Sequence, residues 1–476
     1  MKTNALYYGD NLVWLRDHKH FPDESVDLIY LDPPFNSKSD YNLLFNEPGG
    51  DKSQAQIKAF DDTWHWDSIA SDEAYKELAN MKPVLAELIG WLGSQASIYK
   101  SIAAYLSMMS IRLIELHRVL RPSGTLYLHC DPTASHYLKL LLDQIFSVHN
   151  FRNEIVWCYS GGGIPKNDFP RKHDIIFRYT KSDNYVYHPE YKEYSEGTVQ
   201  RGRTKVKGIY AERGLRKEGT PITDWWTDIA PIHSPTEYEN LGYPTQKRQA
   251  LLERIINISS NDDSTILDPF CGCGTTIDAA QKLKRHWLGI DVTWLAIDLV
   301  EKRLKATYGS NLSPYTIHGK PFDFTSAEAL ALKNKKEFEI WAISLVGASP
   351  REHDGGVDGI FGFVEKDNKL RKVIAQVKGG DSLNPGMVRD LMGTVKNERV
   401  AIGLLITLRE PTKGMAELAV HSDKYKSELW NKTYPSIQIK SVAELLDGDI
   451  FDLPPTQSPF KKAQYYEEKG QQSQAF

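Results

Sequence analysis

At 476 residues the chain is longer than one hydrophobic core usually organises, so two or three domains are expected. With 41% hydrophobic and 25% charged residues it is neither a disordered nor a collagen-like polymer, and no run of about 18 apolar residues marks a membrane span. A formal net charge of -4 excludes a uniformly basic nucleic-acid binder, so any such contact must come from local patches.

The N-terminus leads directly into a strand at Ala5–Tyr8 with no apolar leader, so a cytoplasmic protein is expected. Four cysteines fit that compartment: Cys130 and Cys158 are isolated and Cys271 and Cys273 share one tight loop, so neither a zinc site nor a disulfide framework is implied. After the Gly9-Asp10 turn, an apolar strand at Val26–Leu31 ends at Asp32-Pro33-Pro34-Phe35. Residues 40 to about 106 look like an insertion with helices and aromatics. A helix over Met108–Leu120 then stops at Arg121-Pro122-Ser123-Gly124, and a strand follows at Thr125–His129. The alternation predicts an α/β sheet.

From about residue 152 to 243 the rhythm breaks into a Gly-, Pro- and Tyr-rich stretch with the profile of a recognition insert. Within it Arg201, Arg203, Lys205, Lys207, Arg213, Arg216 and Lys217 face only Glu212 as countercharge. A basic run is most often a solvated face; lying between two chemical motifs, this one is a candidate DNA contact, above all Arg201, Arg203, Lys205 and Lys207. The α/β pattern then resumes with a helix through Leu251 and Ile255, a strand at Thr265–Leu267, the corner Asp268-Pro269-Phe270-Cys271-Gly272-Cys273-Gly274-Thr275, a helix through Ile277 and Ala280, and a strand at Trp287–Ile290. One domain is therefore split by the insert.

Each strand-end corner suits a definite chemistry. An exocyclic base amine is a poor nucleophile because its lone pair is delocalised into the ring. The Asp32 carboxylate and the Pro33 carbonyl can accept its two hydrogens and align the lone pair for in-line transfer, while Pro34 stiffens the corner and Phe35 can stack on the base. A duplex base must flip out to reach such a corner. At the second corner the glycines let backbone approach a nucleotide-like ligand, and Asp291 lies at the end of the next strand, where ribose hydroxyls are usually bound. No third glycine follows at the spacing of the nicotinamide fingerprint.

Together, and in this order around the insert, the two corners resemble the beta-type DNA amino-methyltransferases over roughly residues 1 to 310. The resemblance implies a Rossmann-like α/β methyltransferase with a recognition insert, S-adenosylmethionine as cofactor and double-stranded DNA as partner. It implies cofactor contacts at Asp10, Thr245, Lys247, Asp268, Phe270, Gly272, Gly274 and Asp291, with Tyr243-Pro244-Thr245-Gln246-Lys247 along the methionine part. No cysteine sits in a Pro-Cys pair, so cytosine ring-carbon methylation lacks its nucleophile. Asp-Pro-Pro-Phe looks more like adenine-N6 than cytosine-N4 enzymes; RNA or protein-amide methylation is the other enzymatic alternative, and a DNA-binding scaffold the non-enzymatic one.

Residues 311–335 read as a linker and residues 336–452 as a second α/β unit. Phe338-Glu339, Asp354-Gly355-Gly356-Val357-Asp358-Gly359-Ile360 and Ala375-Gln376-Val377-Lys378 resemble the Mrr-like restriction endonucleases, a smaller restriction-endonuclease-like fold. In that reading Asp358 and Gln376 hold Mg²⁺, Glu339 is a further ligand, and Lys378 orients water and offsets phosphate charge. Gln376 stands where the wider nuclease fold carries a carboxylate, and a DNA-binding module that has lost cleavage is the alternative. Residues 453–476 are expected to be a mobile tail. The oligomeric state, a homodimer included, is left open.

Overall fold

The computed structural model describes residues 4–34, 41–46, 52–60, 68–95, 97–160, 165–203, 215–232, 239–241, 243, 246–351, 356–367 and 369–457. Nine strands form the larger sheet: β1 (Asn4–Tyr8), β2 (Val26–Leu31), β3 (Leu120–Cys130), β4 (Phe151–Cys158), β5 (His173–Thr180), β6 (Trp225–Trp226), β7 (Thr265–Asp268), β8 (His286–Asp291) and β9 (Tyr315–His318). Their spatial order is β6-β4-β5-β3-β2-β7-β8-β1-β9. All neighbours run parallel except that β5 is antiparallel to both β3 and β4.

Strand β2 shows why the sheet is closed on both faces. Ile29 and Leu31 point into a core with Leu113, Leu116 and Leu138, while Leu28 and Tyr30 point into another with Leu251, Leu252 and Ile255. A strand buried on alternate sides in this way reads as a continuous apolar run, as Val26–Leu31 does. Helices supply the two layers: α1 (Asn11–Leu15), α2 (Ser97–Val119) and Pro132–Phe146 contribute to one, Gln249–Ser259, α3 (Thr275–Lys282) and α4 (Trp294–Tyr308) to the other.

Three sequence expectations change here. Residues 152–158 and 173–180, assigned to the recognition insert, continue the main sheet in β4 and β5, because the apolar run Ile175-Ile176-Phe177 packs across β3, and Trp225–Trp226 from the same stretch joins it as β6. The expected linker contains β9, in register with β1, and α5 (Phe324–Lys333), whose Ala327 is buried in the shared core. In the expected tail, Thr456–Gln457 pairs with the second sheet, and residues beyond 457 lie outside the described ones.

After α5 and α6 (Lys335–Ser344) comes the second sheet: β10 (Ser349–Pro350), β11 (Gly359–Val364), β12 (Leu370–Lys378), β13 (Ile402–Thr407) and β14 (Ile437–Ser441), in that order, with β15 (Thr456–Gln457) on β11. Strands β12, β13 and β14 are parallel, and β10 and β11 antiparallel. Helix α7 (Pro385–Asn397) crosses between β12 and β13 and buries Val388 and Leu391. Trp294 of the first unit and Phe338 and Trp341 of the second belong to one hydrophobic cluster, so the two units share a core.

Candidate active site

Four neighbouring parallel strands, β2, β7, β8 and β1, deliver acidic residues to one edge of the larger sheet: Asp32, Asp268, Asp291 and Asp10. This is the carboxyl edge, where open α/β sheets bind ligands.

Pro33 and Pro34 continue from β2, and Phe35 lies outside the described residues. Asp32 forms an ion pair with Lys247, both side chains being mostly buried. Lys247 was expected on the cofactor; the fold brings it to the strand end that carries Asp32. Thr245 lies outside the described residues.

The Gly-rich corner is built by backbone that other residues adopt at a cost. Gly272 has φ +48° and Gly274 φ +75°, in the left-handed region. A Cβ at Gly272 would sit 3.2 Å from the Tyr243 ring, and one at Gly274 2.7 Å from Val300. The Gly272 N–H donates to Asp291 Oδ2 at 2.9 Å, while Asp291 Oδ1 accepts from the Thr293 N–H (2.9 Å) and hydroxyl (2.8 Å). Burial raises the Asp291 carboxyl above its ordinary range. Asp268 accepts from the Phe270 N–H at 3.0 Å, and burial pushes its carboxyl up to about 7. Phe270 packs against the core beneath the loop.

Asp10 caps α1 by accepting from the Leu12 N–H at 2.7 Å, and its carboxylate receives Arg112 Nη2 at 2.8 and 3.1 Å. Sequence reasoning missed Arg112 and Asn11. Arg112 Nε donates to Asn11 Oδ1 at 2.7 Å, and Asn11 Nδ2 donates to the Pro269 carbonyl at 2.8 Å, tying the first turn to the Gly-rich corner. An arginine on the apolar face of the helix expected at 108–120 was the available signal.

A buried polar chain beside Asp32 was also missed. Tyr30 Oη lies 2.9 Å from His129 Nδ1, His129 Nε2 lies 3.1 Å from Asp174 Oδ2, and the Tyr159 hydroxyl donates to Asp174 Oδ1 at 3.1 Å. Burial, the largest single influence, works to raise the Asp174 carboxyl, but the His129 contact, the Lys247 charge and the Tyr159 hydrogen bond together leave it below its ordinary range.

Of the basic patch, Arg201 and Arg203 lie at the end of the helix Glu196–Arg203 with side chains that are not described, and Lys205 and Lys207 lie outside the described residues.

The second unit gathers its own corner. The Asp358 N–H donates to the Ala375 carbonyl at 2.9 Å, and Asp358 Oδ2 accepts from the Val377 N–H at 2.7 Å. Gln376, buried, and Lys378 point to the same face of β12. Burial and the Asp358 charge raise the Glu339 carboxyl, and burial raises that of Asp358, so the two carboxyls and Lys378 share one field. Among the described residues no three His, Cys, Asp or Glu side chains cluster for a metal. Glu339 and Asp358 lie within electrostatic reach of each other, and Gln376 lies on the strand to which Asp358 is hydrogen-bonded.

A family model for DNA methylases matches residues 26–302, and one for restriction endonucleases matches residues 321–433. The type II methyltransferase M.EcaI of Enterobacter cloacae is 30% identical over 263 residues, 42% of this chain and 57% of that protein. The chain thus spans little more than half the length of that relative. The DNA adenine methyltransferase YhdJ of Escherichia coli strain K12 is 27% identical over 311 residues, 64% of this chain and 83% of that protein. The structure of a DNA modification methylase from Thermus thermophilus, complexed with S-adenosyl-L-methionine, aligns with a TM-score of 0.37 at 17% identity, covering 67% of this chain and 99% of that one.

Proposed function

Because this chain belongs to the DNA methylase family, we propose that it transfers a methyl group from S-adenosylmethionine to the exocyclic amine of a flipped base in double-stranded DNA, at adenine N6. The observation that carries this reading is the placement of Asp32 one strand away from the Gly272–Gly274 corner, on the same sheet edge. The corner fits the cofactor: Gly272 and Gly274 make left-handed turns that only glycine adopts freely, and at Gly272 the backbone leaves room that a Cβ would fill against Tyr243. When bound, the cofactor supplies an electrophilic methyl group.

Asp32 and the Pro33 carbonyl would hold the two amine hydrogens and turn the lone pair toward that methyl. The ion pair with Lys247 fixes the carboxylate's orientation, and an arriving amine shares the carboxylate with that lysine. As the N–C bond forms and the nitrogen sheds a proton, Asp32 is the adjacent acceptor. Asp268 caps the corner from below, and Asp291 holds the Gly272 N–H in place and presents its edge to ribose hydroxyls. The adenine assignment is supported by Phe35 in the Asp-Pro-Pro-aromatic corner, and Arg201, Arg203, Lys205 and Lys207 would track the DNA backbone.

For the second unit the proposal is a Mg²⁺-dependent phosphodiesterase corner, with Asp358, Gln376 and Glu339 as oxygen donors and Lys378 beside the scissile phosphate. No helix among the described residues is long and apolar enough to cross a membrane. Incubating the full chain with tritiated S-adenosylmethionine and DNA, RNA or protein, then identifying the labelled nucleoside, tests the substrate class directly.

A further inference from the structure

Helix α6 belongs to the endonuclease-like unit, yet one of its faces is built into the methylase unit. Glu337 Oε2 accepts hydrogen bonds from the Tyr8 hydroxyl at 3.1 Å and from the Trp294 backbone N–H at 2.9 Å. Ser344, two turns on along the same face, accepts from Trp294 Nε1 at 2.7 Å. Phe338 and Trp341 seal this contact within the cluster that also holds Leu6 and Trp294.

These partners stand beside Asp291. Tyr8 is in register with Asp291 on the neighbouring strand, and the Gly9 N–H donates to the Asp291 carbonyl at 2.9 Å. Thr293, which caps α4 and donates twice to the Asp291 carboxylate, immediately precedes Trp294. Glu337 therefore binds the first free N–H of the very helix whose cap holds the Asp291 side chain. Two residues along α6, and so on a different face, Glu339 lies in the field of Asp358 and Lys378.

We propose that Glu337 is a positioning residue for the methyl-donor pocket, supplied by the endonuclease-like unit, so that a ligand in that pocket and the setting of α6 are thermodynamically linked. The inference rests on the reading of the Asp291 edge as the donor pocket. A ligand that bonds Asp291 steadies Thr293 and the first turn of α4, which tightens the grip of Trp294 on Glu337 and Ser344. By reciprocity, loosening α6 weakens the ligand by the same factor. Because Glu339 rides on the same helix, occupancy of the donor pocket bears on the geometry of the nuclease corner.

The test uses the full chain and S-adenosylhomocysteine, with calorimetry for affinity and hydrogen exchange for α6. In the wild type the ligand should add protection across residues 335–344. Glu337→Ala, which removes the acceptor of both hydrogen bonds, should weaken binding about tenfold, within the usual range of coupling between sites, and erase that added protection, while Glu337→Gln, whose amide oxygen can still accept them, keeps most of both. Ser344→Ala, which leaves the Glu337 contacts in place, should reduce the added protection and serves if Glu337→Ala fails to fold. Equal affinity with unchanged exchange in Glu337→Ala and Ser344→Ala overturns the inference alone. A wild-type chain that binds no S-adenosylhomocysteine overturns the pocket reading and the inference together.

Discussion

Lys247 and Asp32, 215 positions apart in the chain, meet as an ion pair at the carboxyl edge of the larger sheet. The segment leading toward the Gly-rich corner is thereby joined to the strand end that would face the target amine.

Asp32→Ala should lower methyl transfer by about 10²- to 10⁴-fold, the range for loss of a positioned proton acceptor, with S-adenosylhomocysteine affinity nearly unchanged. Because Asp32 and Lys247 touch, their effects should not add. A double-mutant cycle of Asp32→Asn and Lys247→Met, followed by denaturant unfolding, should show a coupling of about 0.5–3 kcal/mol; additive effects would mean the pair is not formed in solution.

Gly272→Ala and Gly274→Ala should fail differently. At Gly274 both the positive φ and the approach of Val300 oppose a Cβ, so that variant should lose about 1–3 kcal/mol of stability in thermal melts. Gly272 also has a positive φ, so its variant should lose stability too, but its Cβ meets the Tyr243 ring at 3.2 Å rather than 2.7 Å, and pushing that ring should in addition weaken S-adenosylhomocysteine binding in calorimetry.

Burial holds the Asp268 carboxyl at about 7 against an ordinary value of 3.8. The folded chain therefore binds this proton more tightly than the unfolded chain. The resulting stabilisation is whole below the unfolded value and is lost as pH rises through about 7. Asp268→Asn can still accept from the Phe270 N–H but cannot ionise. Its melting temperature relative to wild type should rise between about pH 5 and about pH 8; a constant difference would place Asp268 in a wetter setting than the fold indicates.

The strands ending at Asp32 and Asp268 were legible because each is an apolar run closed by an Asp-Pro step, a local pattern. The Gly272–Gly274 turn was legible because only glycine suits its backbone there. What escaped depends on partners remote in sequence: Arg112 reaches Asn11 across 101 positions and Tyr30 reaches His129 across 99. Strands β4 and β5 were hidden by the Gly- and Pro-rich sequence between them, which made a pair of sheet strands look like an insert. Strand β9 is four residues long and only partly buried, so nothing in its pattern set it apart from a linker. Glu337 follows two lysines at the start of a helix and looks like a solvated end until Tyr8 and Trp294 are packed against it.

In the second unit, Asp358→Ala and Lys378→Ala should abolish metal-dependent cleavage of plasmid DNA while leaving methyl transfer intact. Gln376→Glu should tighten Mg²⁺ binding, since a carboxylate replaces a neutral amide in the donor set. Cleavage by the wild type with and without Mg²⁺, on methylated and unmethylated plasmid, checks both. No cutting under any of these conditions would leave the unit as a DNA-binding module.

The central claim, that the Asp32 corner methylates a base amine in DNA, is tested most directly by methyl transfer from tritiated S-adenosylmethionine to duplex DNA, with the digested nucleosides resolved. The account predicts label in N6-methyladenine for the wild type and at least about a hundredfold less for Asp32→Ala. Label confined to RNA or protein, or undiminished transfer by Asp32→Ala, would contradict it.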